Sequence, residues 1–217
     1  SLQIHGGMGF SAESEISVHY RNVRGNRIYE GTNEINRLLI PTMLFRKAMK
    51  GELPLMEKTM ILFNDLMSGS LSKISESDIL FENENNFLSV AKKATLLVAG
   101  IAVQQFQQKI KDEQEVLTHL SNMIIPLYIF ESALLRAQKY HSKTDIYKKM
   151  TTLLMHETSL KLSNNAKEVI YASSPEEQAL SSYKSINRLI QLPYCNLKEL
   201  RRKVAKHFIT NNQYKLT

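Results

Sequence analysis

From residue 54 onward apolar side chains return every three or four positions, with few turn signals between long segments. Val116, Leu120, Met123, Leu127, Phe130 and Leu134 step alternately by four and three, which sets one helix face against a bundle core. Ala91, Ala94, Val98, Ile101 and Gln105 form a second stripe whose small side chains predict a close helix approach. The spacing predicts helices over about 54–67, 85–110, 113–140, 144–172, 175–191 and 197–209. Pro126 falls inside the third of these, where a residue without a backbone N–H interrupts and kinks a helix. Ser-Gly-Ser and Glu-Asn-Glu-Asn-Asn mark the stretch 68–86 as a mobile connector. No useful length of chain alternates with the period of two that a half-buried strand requires. The fold class is all-α, built as helical bundles.

The first fifty residues are patterned differently. Gly6, Gly7 and Gly9 predict a flexible opening loop, and residues 13–23 a short helix with Ile16, Val18 and Tyr20 among its apolar positions. Gly25 ends that helix. After a turn at Tyr29-Glu30-Gly31, Thr32 or Asn33 can cap a helix carrying Ile35, Leu38, Leu39 and Met43. Pro41 bends it, because it removes the amide that would bond the Arg37 carbonyl. Gly51 and Pro54 close the segment.

Composition narrows the class. In 217 residues, 43% apolar and 23% charged side chains exclude wholesale disorder, a collagen repeat and a disulfide scaffold. The strongly apolar runs, 96–103 and 123–130, fall short of the roughly 18 to 20 residues that cross a bilayer, so no spanning helix is expected. The opening Ser1-Leu2-Gln3 has neither an initiator Met nor the regions of a signal peptide, which predicts a chain cut from something longer. The single Cys195 cannot form an internal disulfide and suits a reducing compartment; it is expected to be inert. The net charge of +7 is terminal: residues 1–51 carry +3, residues 197–217 carry +5, and the stretch between carries −1. His5, His19, His119, His141, His156 and His207 show no ligand spacing, and no metal site is expected.

Three blocks carry chemistry: Gln3-Ile4-His5-Gly6-Gly7-Met8-Gly9-Phe10, Tyr20-Arg21-Asn22-Val23-Arg24, and Arg27-Ile28-Tyr29-Glu30-Gly31-Thr32-Asn33-Glu34-Ile35. In this order and spacing they closely resemble the C-terminal helical domain of the acyl-CoA dehydrogenases, over residues 1 to about 50. The resemblance implies a flavoprotein that binds FAD and oxidises a fatty acyl-CoA thioester to the trans-2-enoyl-CoA, as in fatty acid β-oxidation. In the family the carboxylate at the position of Glu30 takes the α proton while a hydride passes from the β carbon to the flavin. The residue type suits that role: such a base needs a fixed backbone and a dry site in which its pKa rises. By the same resemblance Gly31 is a substrate contact, Thr32 and Asn33 meet FAD phosphates at a helix N-terminus, and Gln3, Ile4, His5, Gly6 and Gly7 approach the FAD of a neighbouring subunit. An electron-transfer flavoprotein is the implied electron acceptor, and a homo-oligomer, dimer or tetramer, the implied full-length assembly. The implied compartment is the cytoplasm in a bacterium and the mitochondrial matrix in a eukaryote.

Shorter-chain relatives end soon after the helix that spans 32–48 here, whereas this chain continues for about 165 residues. That layout is similar to the very-long-chain members, and divides the chain into a catalytic-domain end at 1–52, a helix and connector at 53–86, and an appended helical domain at 87–217. A fragment of this kind is expected to be inactive alone. The Leu197, Leu200, Val204, Phe208 stripe, flanked by Lys and Arg, is the candidate for peripheral membrane contact. A pI near 9.4 motivates an alternative reading, an acyl-CoA-dehydrogenase-like flavoprotein with a DNA-binding tail. Against nucleic acid stand the intact Tyr29–Thr32 block and the lack of a basic stripe with interleaved aromatics. A third reading makes the appended bundle an oligomerisation scaffold.

Overall fold

The computed structural model describes residues 2–71, 74, 77–141 and 144–212. The described residues form helices and turns and contain no strand. The chain opens with a 3-10 turn, Leu2–His5, then α1 (Gly7–Phe10), α2 (Glu15–Gly25) and α3 (Asn33–Met49). Beyond these lie α4 (Leu55–Met67), α5 (Glu82–Phe106) with a 3-10 extension (Gln107–Asp112), α6 (Gln114–Tyr140), α7 (Ile146–Ser173), α8 (Glu176–Ile190) and α9 (Leu197–Asn211).

The core forms among α5, α6, α7 and α8. All six residues of the predicted α6 stripe are buried, and Phe130 meets Phe87 of α5 edge to face, with ring centroids 5.3 Å apart. Burying a side chain of this size is worth about 1.5–3 kcal/mol relative to leaving it in water. Ala91, Ala94, Val98 and Ile101 are buried as expected, whereas Gln105 at the end of that stripe is exposed. Helix α7 packs back on α6, and among the described residues these two helices share the most extensive interface. Both α3 and α6 run through their prolines without interruption.

Three further expectations need correction. Residues 2–10 are coiled rather than an open glycine loop. Gly6 N donates to the Gln3 carbonyl (3.2 Å), Gly9 N to the Gly6 carbonyl (3.1 Å), and Gly9 is buried so close to Leu2 that a Cβ would stand 2.4 Å from the Leu2 oxygen. The helix expected from about residue 85 starts at Glu82, inside the expected connector, because Glu84 is 1% exposed and pairs with Lys148 and Thr152 of α7, a tertiary bond that outweighs local polarity. Of the remaining connector, residues 72, 73, 75 and 76 lie outside the described residues. Finally, α5 with its extension is long and apolar enough, by length and composition, to cross a membrane, contrary to the reading from run lengths. Half of that window is buried inside the bundle, and Phe87, Ala91, Leu97 and Val98 face the core, so packing accounts for its hydropathy.

Candidate active site

The turn between α2 and α3 departs from ordinary backbone. Glu30 and Gly31 are consecutive left-handed residues, with φ of 58° and 87°. Gly31 takes that conformation without steric cost, and it also admits Asn36, whose Oδ1 would lie 3.0 Å from a Cβ there. Glu30 has no such freedom. A residue with a side chain held in this region costs on the order of 1–3 kcal/mol and persists only where its surroundings over-determine it.

The surroundings do so. Ile28 N and Tyr29 N both donate to the Gly25 carbonyl, at 2.8 and 3.2 Å, and the Tyr29 hydroxyl donates to Asn26 Oδ1. Asn36 Nδ2 donates to the Gly31 carbonyl at 2.8 Å, and Asn33 N to the Arg27 carbonyl at 3.1 Å. Of the two expected cap residues, Thr32 rather than Asn33 caps α3, its hydroxyl oxygen accepting from Ile35 N at 3.3 Å. Glu30 itself is exposed, between an exposed Tyr29 and Gly31. The dry enclosure that a general base requires is not furnished by the described residues.

The α3 N-terminus accommodates an anion of the chain's own. The Glu34 carboxyl is held below the usual carboxylate range, chiefly by a hydrogen bond from its own backbone amide; desolvation is the next effect and opposes it, and the Thr32 hydroxyl and then the charges of Arg27 and Arg37 add smaller contributions that lower it further. Two amides of this first turn are engaged: Asn33 N donates to the Arg27 carbonyl and Ile35 N to the Thr32 hydroxyl oxygen.

Gln3, Ile4, His5, Gly6 and Gly7 are exposed. Their coil packs on α2 beside a hollow of about 180 Å³ lined by Leu2, Ile16, His19, Tyr20 and Val23. A separate hollow of about 340 Å³ opens between Glu34, Ile35 and Leu38 of α3 and Gln114, Glu115, Thr118 and His119 of α6. The opening coil and the start of α3 thus border different hollows. Among the described residues no group of three or more His, Cys, Asp and Glu is placed to hold a metal.

Three site-supporting residues escape the sequence reading. Arg37 Nη1 donates to the Asn33 carbonyl at 3.1 Å and its Nε to Asn122 Oδ1 of α6 at 2.9 Å, while the Ser121 hydroxyl donates to the Arg37 carbonyl. The signal available was Pro41, which marks that carbonyl as lacking its helical partner; nothing in the sequence names the donor 84 residues away. On α9 the stripe of Leu197, Leu200, Val204 and Phe208 is half-buried, with Val204 and Phe208 packed on the core, and Arg201 and Lys203 pair with Glu157 (3.8 Å) and Glu199 (2.9 Å).

Comparison with known proteins now adds to this geometry. The description "Acyl-CoA dehydrogenase, C-terminal domain" is matched by one family model over residues 1–44 and by another over residues 90–184. A probable acyl-CoA dehydrogenase of Bacillus subtilis (strain 168) is 34% identical over 98% of this chain and 36% of its own length. The human short-chain specific acyl-CoA dehydrogenase, a mitochondrial protein, is 50% identical over 46 residues, which make up 21% of this chain and 11% of that one. Among solved structures, an acyl-CoA dehydrogenase complexed with FAD from Bacillus anthracis superposes with a TM-score of 0.87 and 34% identity, over 99% of this chain and 37% of its own. The chain therefore spans just over a third of the full-length relatives it matches. Through these matches and the shared all-helical fold, the chain belongs to the acyl-CoA dehydrogenase family, matching its C-terminal domain.

Proposed function

We propose that the chain is the C-terminal part of a FAD-dependent acyl-CoA dehydrogenase that desaturates a straight long or very long acyl-CoA between its α and β carbons. The observation that carries this reading is the backbone of Glu30: a carboxylate fixed in a left-handed conformation, next to a glycine and directly before a capped helix. Strain of that kind is retained where the position of the side chain matters. The Glu30 carboxylate accepts the α proton of the thioester. Gly31 is the neighbouring substrate contact, its backbone exposed next to Glu30.

The residues present fit FAD. The Glu34 carboxyl at the α3 N-terminus is held below its ordinary range, chiefly by its own backbone amide, which supports an end of the helix that favours a negative charge, and a phosphate also carries one. Thr32 and Asn33 would hold a phosphate there by exchanging Glu34 for it, and the exposed Gln3–Gly7 coil would hold a second flavin's outer portion. When bound, FAD supplies the hydride acceptor. An electron-transfer flavoprotein as the onward acceptor, a dimer or tetramer as the assembly, and action in fatty acid β-oxidation complete the proposal.

The test uses the full-length protein with a panel of saturated acyl-CoA thioesters from short to very long. Turnover that rises toward the long chains, with the trans-2-enoyl-CoA as product, is the expected outcome. Absence of flavin reduction by every thioester in the panel would remove the assignment, and a maximum at the short chains would remove its chain-length part.

A further inference from the structure

We infer that Ser121 and Asn122 of α6 are positioning residues for Glu30, acting through Arg37; the inference rests on the reading of Glu30 as the base. Its starting point is a gap in α3. Pro41 has no N–H, so the Arg37 carbonyl lacks the bond that a residue four places on would give it. A buried carbonyl without a partner is unfavourable, and a donor has to come from elsewhere.

Ser121 supplies it. This side chain is wholly buried and its hydroxyl donates to the Arg37 carbonyl. A serine inside a helix ordinarily turns back to the carbonyl four residues earlier. Ser132 of the same helix does this, on Tyr128 at 2.8 Å, whereas Ser121 reaches to another helix. The next residue takes the other end of Arg37: Asn122 Oδ1 accepts from its Nε at 2.9 Å. Two adjacent residues of α6 thus hold one residue of α3 by its backbone and its side chain, and α6 is fixed there by the buried Leu120 and Met123.

From Arg37 the connection continues into the site. Its Nη1 donates to the Asn33 carbonyl at 3.1 Å, and Asn33 N donates to the Arg27 carbonyl at 3.1 Å, which joins the two ends of the segment that contains Glu30 and Gly31. A rigid chain of hydrogen bonds therefore runs from the core of the appended bundle to both sides of the strained turn. This gives residues beyond 87 a part in the reaction: they set where the Glu30 carboxylate stands.

The experiment uses the full-length, FAD-loaded protein. Ser121→Ala and Asn122→Ala are made singly and in a Pro41→Ala background, with Ser132→Ala as control. Amide hydrogen exchange over residues 27–36 is read together with kcat and KM. Both variants are expected to speed exchange over 27–36 and to lower kcat on the order of 10-fold with KM changed by less than about 2-fold, since a displacement near 1 Å at a reacting group costs up to about 10²-fold. Pro41→Ala returns a helical donor to the Arg37 carbonyl, so most of the Ser121→Ala loss is expected to disappear in that background while the Asn122→Ala loss remains. Ser132→Ala is expected to match the parent. Unchanged exchange over 27–36, faster exchange with parental kcat, or a Ser121→Ala loss equal in both backgrounds would each overturn the inference. Glu30→Gln run alongside separates the two claims: parental turnover there removes the base assignment by itself, while exchange over 27–36 still decides whether Ser121 and Asn122 hold the turn.

Discussion

Glu30 is a charged side chain on a backbone better suited to glycine. That conflict predicts a trade between stability and function. Glu30→Gly is expected to raise the stability of the protein by about 1 kcal/mol, the cost of left-handed backbone for an L-residue, while turnover is lost; calorimetry and an activity assay on the same sample check both. A fall in stability would show that the Glu30 side chain makes contacts worth more than the strain. A second titratable residue acts far from the site. The pKa of His156 lies below its ordinary value of 6.5, because burial disfavours the charged ring, with the nearby Glu84 charge working partly against this. The unfolded chain therefore binds the proton first. Stability is at full value above about pH 6.5 and falls as pH drops from there through the folded pKa. His156→Gln is expected to flatten the denaturation free energy between about pH 7 and 5, and an unaltered slope would contradict this.

Single helices show what the sequence discloses. The α6 stripe was readable in full, because its period reports one face against one core, and the cap of α3 was narrowed by residue type and place to Thr32 or Asn33, of which Thr32 serves. The start of α5 was not. Glu82 to Glu84 looks like connector until Lys148 and Thr152 are folded against Glu84, and no local signal reports partners 64 and 68 residues away. This pair gives an asymmetric prediction. Lys148→Met leaves an unpaired carboxylate on a residue that is 1% exposed, a loss of about 3–5 kcal/mol where the charge stays uncompensated. Glu84→Gln keeps a hydrogen-bonding group toward Thr152 and leaves Lys148, 31% exposed, in reach of water, with an expected loss nearer 1–3 kcal/mol. Urea denaturation of the two variants checks the order, and equal losses would contradict it.

At the scale of the molecule, two parts with different sequence character share one framework. The family was legible in the blocks within residues 1 to about 50, because three blocks of particular residue types recur there in a fixed order. Its attachment was not, since the bonds from α6 to Arg37 involve a common serine and a common asparagine without any pattern of their own. The basic excess that suggested nucleic acid is spread otherwise: Arg37 works inside the structure, and two cations of α9 are paired with glutamates. The hydropathy of α5 likewise reflects burial among its neighbours. The fold leaves the Glu30 turn exposed, and the most direct test of the account is made there. In the full-length holoprotein, Glu30→Gln mixed with a long-chain acyl-CoA under anaerobic stopped flow is expected to keep its bound flavin yet bleach it about 10²–10⁴-fold more slowly than the parent, the contribution of a lost general base. Bleaching at the parental rate would contradict the account.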